Sequence, residues 1–255
     1  MPISPGSPLL ELVGIRVSFD GFLALKNLNL QLAAGELRAV IGPNGAGKTT
    51  FLDVITGKVR PQAGDVRFRG RSLLGHNEHR IARLGIGRKF QSPRVFEQLS
   101  VQENLALAVS TPKTPMGLLR RHLTSAQRQR VHHLLEVINL APRAHHRAGS
   151  LSHGQKQWLE IGMLVVQDPQ LLLVDEPVAG LSDAETERTA DLLRSLAGEH
   201  TVLVIEHDME FIRRLQTQVT VLHQGQVLCE GSMEQVQTDP RVVEVYLGAG
   251  QEQQP

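Results

Sequence analysis

Ile41-Gly42-Pro43-Asn44-Gly45-Ala46-Gly47-Lys48-Thr49-Thr50 follows a run that reads as a strand, Glu36 to Ile41, and opens a run that reads as a helix, Lys48 to Gly57. That is the context the phosphate-binding loop G-x-x-x-x-G-K-[ST] requires. Gly42, Gly45 and Gly47 let the backbone fold tightly enough to aim successive N–H groups inward. The following helix adds its positive dipole end, so the stretch suits a polyphosphate. Lys48 is expected to reach the β- and γ-phosphates, and the Thr49 hydroxyl to ligate Mg²⁺. An ordinary glycine-rich turn is the alternative, and the strand and helix on either side weigh against it.

The rest of the chain bounds what such a loop can serve. With 255 residues, 41% of them hydrophobic, it can bury a substantial core as one large domain or two small ones. Lys plus Arg number 27 against 26 Asp plus Glu, a balance that weighs against a nucleic-acid-binding domain, for which a basic excess is usual. The single cysteine, Cys229, excludes an internal disulfide framework and suits a reducing compartment. No apolar stretch approaches the roughly 18 to 20 residues that cross a bilayer. Met1 to Pro8 has neither the basic segment nor the apolar core of a secretory signal. A soluble, cytoplasmic protein is expected, reaching a membrane only through a partner.

Along the chain, Met1 to Pro8 reads as disordered. Leu10 to Phe19, a tight turn at Asp20-Gly21, and Ala24 to Leu32 read as strands, and Val66 to Phe68 continues that character. Between Ile81 and about Gln167 the texture changes, with helices at Glu103 to Val109, Ser125 to Asn139 and Gly154 to Gln167, broken by Thr111 to Pro115 and Arg143 to Gly149. A largely helical insert is the simplest reading. Leu171 to Val174 and Val202 to Ile205 are short all-apolar runs, suited to central parallel strands covered on both faces, with amphipathic Ala184 to Leu196 as the crossover helix. Val219 to Leu222 and Gln226 to Cys229 resemble a hairpin, Ser232 to Gln237 a short helix, and Gly248 to Pro255 a loose tail.

Two further stretches carry chemistry. Leu171-Leu172-Leu173-Val174-Asp175-Glu176 ends a buried strand in adjacent carboxylates, at the strand end where ligands gather in open α/β sheets. Asp175 is expected to hold Mg²⁺ through its water shell and Glu176 to accept a proton from an attacking water. In Leu151-Ser152-His153-Gly154-Gln155 a good N-cap, Ser152, opens a helix whose start presents a hydroxyl and free N–H groups to an anion. Plain capping explains that stretch taken alone.

Together these stretches resemble the ATP-binding cassette (ABC) ATPases. The order matches over nearly the whole chain: phosphate loop, Gln91, the signature around Ser152, Asp175-Glu176, and His207 after the strand Val202 to Glu206. The resemblance implies a P-loop NTPase core of α/β class with a parallel sheet, an N-terminal antiparallel β subdomain and a helical subdomain. On that plan, 9–248 is one ABC ATPase domain, with the β subdomain and core at about 9–90, the helical subdomain at about 91–167, the core resuming over 168–248 and a flexible tail at 249–255.

The resemblance also assigns roles. ATP would be held by Gly42 to Thr50 and Asp175, with Phe19 stacking on adenine; a core aromatic at a strand end is the other reading of Phe19. Ser152, Gly154 and Gln155 would act in trans, on the γ-phosphate bound by a second ATPase subunit. Gln91 would touch Mg²⁺ or the attacking water, and His207 would position that water and bond the γ-phosphate. Lys48, Glu176, Gln91 and His207 form the catalytic set, and Thr49, Gln91 and Asp175 the metal set. This sequence departs from the family at His153, where glycine is usual, and at Ser182, where many relatives carry aspartate. His132, His133, His145 and His146 lack a Cys or carboxylate framework and read as solvated.

Within the family, one cassette and no fused span point to the separate ATPase subunit of an importer, peripheral on the inner face of the bacterial plasma membrane. It would bind integral membrane permease subunits and serve, indirectly, a solute-binding protein. Ile81 to Gln91, Val178 to Leu181 and Val243 to Gly248 look like the branched-chain amino-acid and amide uptake group. Leu151 to Glu160 and Glu206-His207-Asp208-Met209 are most similar to urea-transport ATP-binding subunits, so urea or short amides are the expected cargo and branched-chain amino acids the alternative. Soluble cassette proteins acting on nucleic acid or ribosomes, and a regulator without turnover, are rival classes. The charge balance speaks against the former and Glu176 against the latter.

Overall fold

A computed structural model describes residues 8–89, 94–109 and 123–248. The expected loose ends, the Thr111 to Pro115 break and Gln91 lie outside the described residues, apart from Pro8 and Gly248.

Strand β1 (Leu10–Phe19) pairs antiparallel with β2 (Phe22–Leu32). Asp20 and Gly21 both take positive φ, 46° and 88°, the backbone hand that lets a two-residue turn follow the twist of its strands. Strand β3 (Leu37–Ile41) leads through the glycine loop into helix α1 (Lys48–Ile55), and β4 (Ala63–Phe68) returns to pair with β1 on its other side. With β5 (Arg71–Ser72) this gives a four-stranded antiparallel sheet ordered β2-β1-β4-β5. Its buried residues, among them Leu10, Leu12, Ile15 and Val17, pack with Phe51, Leu52 and Ile55 of α1.

After α2 (Glu78–Arg83) comes β6 (Ile86–Lys89), then α3 (Val101–Val109), α4 (Ser125–Val137), α5 (His153–Val165), β7 (Leu171–Asp175), α6 (Asp183–Leu196), β8 (Thr201–Ile205) and α7 (Met209–Leu215). The hairpin β9 (Gln218–His223) and β10 (Gln226–Gly231) follows, then α8 (Met233–Thr238) and α9 (Pro240–Gly248). The second sheet has the order β10-β9-β3-β8-β7-β6, parallel from β9 to β6 with β10 antiparallel at one edge.

The all-apolar strands are explained by two cores. Leu171, Leu173, Leu203 and Ile205 join the cluster under the antiparallel sheet, whereas Leu172, Val174, Val202 and Val204 join the cluster under α3 to α7. Because successive side chains point to opposite faces, a strand covered on both faces has no polar side to show. The carboxyl ends of β7 and β8 therefore emerge beside the glycine loop that follows the adjacent β3.

One sequence reading needs correction. Part of the stretch from Ile81 onward, whose texture predicts a helical insert, is strand β6, which extends the parallel sheet beside β7. Ile86-Gly87-Arg88-Lys89 carries two cations and reads as surface, yet Lys89 is fully buried and the Arg88 side chain nearly so, because each meets a carboxylate. Helices α7 and α9 were likewise not anticipated. Helix α7 is opened by Asp208, whose Oδ1 accepts the Glu210 and Phe211 N–H groups at 2.9 and 3.0 Å. Among the described residues no helix is long and apolar enough to cross a membrane.

Helix α9 is tied down at its start by Asp239. Hydrogen bonds from the Arg241 side chain and then its backbone N–H hold the Asp239 carboxyl at about 2, well below its ordinary 3.8. A depressed carboxyl contributes fully above its ordinary value and loses that contribution as pH falls through its folded value. The amide shifts of Arg241 and Val242 are therefore expected to be constant above pH 4 and to move with a midpoint of about 2. Asp239→Asn is expected to abolish that movement.

Candidate functional site

The loop between β3 and α1 is fixed from behind by β2 and the tip of the β9–β10 hairpin. Gly225 N–H donates to the Ala46 carbonyl at 3.0 Å, and Lys26 N–H to the Gly225 carbonyl at 2.8 Å. Gly47, at φ 101°, forms the N-cap of α1, and a Cβ there would lie 2.8 Å from the Ala24 carbonyl oxygen. Only glycine combines that backbone with that approach. Gly42 and Ala46 are buried, Pro43, Gly47, Lys48 and Thr50 half-buried, and Asn44, Gly45 and Thr49 exposed. The outer rim of the loop and the first N–H groups of α1 thus face outward, where a helix start favours an anion.

Lys48 lies along this loop, its Nζ donating to the Gly42 and Pro43 carbonyls at 2.6 and 3.0 Å. Burial lowers its pKa, and the nearby carboxylates Glu176, Asp175 and Glu206 oppose that shift. The ammonium therefore sits in the field of the three acids at the ends of β7 and β8.

Of these, Asp175 is buried at the end of β7. Burial raises its pKa, and Arg88 opposes the rise from 3.3 Å. Arg88 also binds Asp53 of α1 at 2.5 Å, so one guanidinium joins β6, β7 and α1. Glu176 has its backbone at φ 45°, in the left-handed region that a non-glycine residue enters at a cost, and its N–H is held by the Ile205 carbonyl at 2.9 Å. This turn lifts its carboxylate off the strand, half-exposed, toward His207.

His207 Nδ1 lies 3.7 Å from Glu176 Oε1 and 3.6 Å from Glu206 Oε2, with the side chain 67% exposed. Glu206 is a residue sequence reading passed over. It is buried, and its carboxylate accepts the N–H groups of His207 at 2.9 Å, Asp208 at 3.3 Å and Val178 at 3.2 Å. Burial raises its pKa while those N–H bonds oppose the rise. One carboxylate thereby fixes both the histidine and the chain that leaves Glu176. A Glu immediately before the histidine was the available signal, but an acid at a strand end reads as solvated.

Phe19 ends β1 and is 45% exposed, so it is not a core aromatic. It pairs across the turn with Phe22, itself 66% exposed, which sequence reading missed. Both aromatic side chains are therefore open to solvent at one turn, and an aromatic face is the kind of surface on which a base stacks.

Ser152, Gly154 and Gln155 open α5, and their bonds go elsewhere than to the glycine loop. Ser152 Oγ accepts the Gln155 N–H at 3.2 Å while Gln155 Oε1 accepts the Ser152 N–H at 3.1 Å, a reciprocal cap that commits the glutamine side chain to its own helix. The structure thus brings Lys48, Asp175, Glu176 and His207 to one open ledge, and places the Ser152 helix start apart from it in the hydrogen-bond network.

Known proteins resemble this chain in sequence and in fold. The family model for the ABC transporter matches residues 25–179. The chain belongs to the ABC transporter family. A model for the branched-chain amino acid ATP-binding cassette transporter matches residues 226–252 of this cassette. The cassette is 38% identical over 253 residues to the high-affinity branched-chain amino acid transport ATP-binding protein BraF of Pseudomonas aeruginosa, covering 94% of this chain and 98% of that one. It is also 38% identical over 250 residues to LivG of Escherichia coli, with the same coverage. Among solved structures it resembles the ADP conformation of MJ1267, an ATP-binding cassette of an ABC transporter, at TM-score 0.82 and 28% identity over 94% of this chain and 99% of that one. It resembles dimeric MJ0796, a bacterial ABC transporter cassette, at TM-score 0.72 and 26% identity over 88% and 98%. The chain is accordingly an ABC-type ATPase, with the mixed sheet, antiparallel N-terminal sheet and helical elements of that fold.

Proposed function

We propose that this cassette is the ATP-hydrolysing subunit of an importer, and that two cassettes close over two ATP molecules to drive the membrane permease subunits they sit on. The observation that carries this is the open ledge itself. Lys48, Asp175, Glu176 and His207 converge where Thr49 is exposed and the His207 side chain is 67% exposed. A site that must exclude bulk water during phosphoryl transfer needs a second body to cover it. The Ser152 helix start of a partner, with its hydroxyl and dipole, has the chemistry to do so.

In the closed site the glycine loop and Lys48 bind the β- and γ-phosphates, Phe19 and Phe22 face the base, and Glu176 takes the proton of the attacking water. His207, held by Glu206, orients that water. Mg²⁺ fits by donor chemistry: the exposed Thr49 hydroxyl and the Asp175 carboxylate are hard oxygens. Among the described residues no cluster of three His, Cys, Asp or Glu forms a protein cage, in keeping with an ion held mainly by phosphates and water. When bound it would neutralise charge between the phosphates. Gln91, outside the described residues, would meet the ion or the water. Catalysis rests on positioning and charge stabilisation.

The cargo is proposed as a small polar solute of the branched-chain amino-acid class, supported by the relatives BraF and LivG and by the match over 226–252. A second reading, urea or short amides, is favoured by Leu151 to Glu160 and Glu206 to Met209. In both, the chain lies on the cytoplasmic face of the membrane through its permeases, with a solute-binding protein on the far side. Reconstitution with candidate permease and solute-binding proteins separates them. Leucine, isoleucine or valine is expected to stimulate ATP turnover; stimulation by urea alone would move the assignment to the second reading, and none by any solute would remove the importer role.

A further inference from the structure

Glu185, in the first turn of α6, joins two stretches that sequence reading kept apart. Its Oε1 accepts the Ser152 hydroxyl at 2.9 Å, and its Oε2 accepts the Ser182 N–H at 3.2 Å and the Ser182 hydroxyl at 3.0 Å. Ser152 Oγ is already the acceptor for the Gln155 N–H, so the hydroxyl's one hydrogen is committed to Glu185. Gly154 lies against the same carboxylate: a Cβ there would be 2.7 Å from Glu185 Cδ and Oε1. The Ser182 bonds also explain the residue found there. A carboxylate at that position would face Glu185 with like charge, whereas serine donates to it twice.

We infer that Glu185 is a positioning residue that holds the Ser152 hydroxyl against its own chain, so that a phosphate bound by the partner cassette gains that hydrogen only by displacing the Glu185 carboxylate. This rests on the reading above, in which Ser152 acts in trans. A carboxylate beside a terminal phosphate is also repelled by it, so Glu185 opposes closure twice, by occupying the donor and by its charge. Displacing it also frees Ser182 and the loop after Glu176, which couples the phosphate contact to the catalytic glutamate's own segment.

Glutamine at 185 isolates the effect. Its carbonyl oxygen still serves the Ser182 N–H, since Glu and Gln are interchangeable in this capping position, but its amide nitrogen cannot accept the Ser152 hydroxyl. The experiment measures the ATP concentration for half-maximal dimerisation by light scattering, with Mg²⁺ present and in a Glu176→Gln background so that ATP persists. Adding Glu185→Gln is expected to lower that concentration by about tenfold, with the gap narrowing as salt is raised. An unchanged or higher requirement overturns the inference. Ser152→Ala in the same background tests the reading beneath it. If that chain dimerises like its parent, the trans contact fails; if it does not dimerise while Glu185→Gln matches the parent, the role of Glu185 alone fails. ATP binding to the dilute monomer is expected to be equal in all three, as a merely damaged fold would not be.

Discussion

Glu176→Gln is expected to lower ATP turnover by a factor on the order of 10² to 10⁴, the range a positioned general base supplies, while ATP binding persists. The substitution keeps the size and outline of the side chain but turns one acceptor oxygen into an NH₂ donor and removes the carboxylate proposed to take a proton from water. The Ile205 carbonyl that fixes the Glu176 N–H is untouched, so the backbone at φ 45° is held as before. Removing one of the three carboxylates that face Lys48 also removes charge repulsion toward a triphosphate. The variant is therefore expected to gather as an ATP-bound dimer, seen as a doubled mass with ATP and Mg²⁺ and a single mass without. Turnover at the parental rate would take Glu176 out of the chemistry.

The largest effect on stability is expected from Arg88→Met. Arg88 is nearly buried between Asp53 and Asp175, whose side chains are only 11% and 9% exposed. Breaking a buried pair from one side leaves uncompensated charge, at about 3–5 kcal/mol. In a chain of this size that lowers the melting temperature by on the order of 10 °C. Asp53 retains Lys58 at 3.2 Å, so most of the penalty falls on Asp175. The pH dependence has a definite sign. Asp175 is already raised by burial, with Arg88 the main influence against it, so its loss raises the carboxyl further. A group that holds its proton more tightly in the folded state favours folding as pH falls, and the deficit should shrink toward acid pH. Thermal unfolding of Arg88→Met, Asp175→Asn and the pair checks this. The double variant is expected to recover much of the loss, and strict additivity would mean that the two side chains do not interact.

What could be read in the sequence and what could not divides along one physical line. The glycine loop, β7 and β8 were legible because their signals are local: Gly47 needs a backbone that other residues avoid, and Leu171 to Val174 is apolar on both faces. The fold class followed from those and from motif order. Strand β6 was not legible, since Arg88 and Lys89 are cations whose burial depends on Asp53, Asp175 and Glu160, each distant in sequence. Glu206 and Glu185 were missed for the same reason. An acid is read as solvated unless the N–H and O–H groups that surround it are known, and those come from the loop after Glu176, the Ser152 helix start and the turn that follows β8. Phe22 escaped notice because exposure, not residue type, makes it a candidate.

The central claim is that each ATP site is completed by a second cassette, and a crystal structure of the Glu176→Gln chain with ATP and Mg²⁺ tests it most directly. The expected result is a pair of cassettes in which Ser152 Oγ of each lies within hydrogen-bond distance of the terminal phosphate held by Lys48 of the other. A terminal phosphate surrounded by its own chain alone, with the Ser152 helix start still bonded to Glu185, would contradict it.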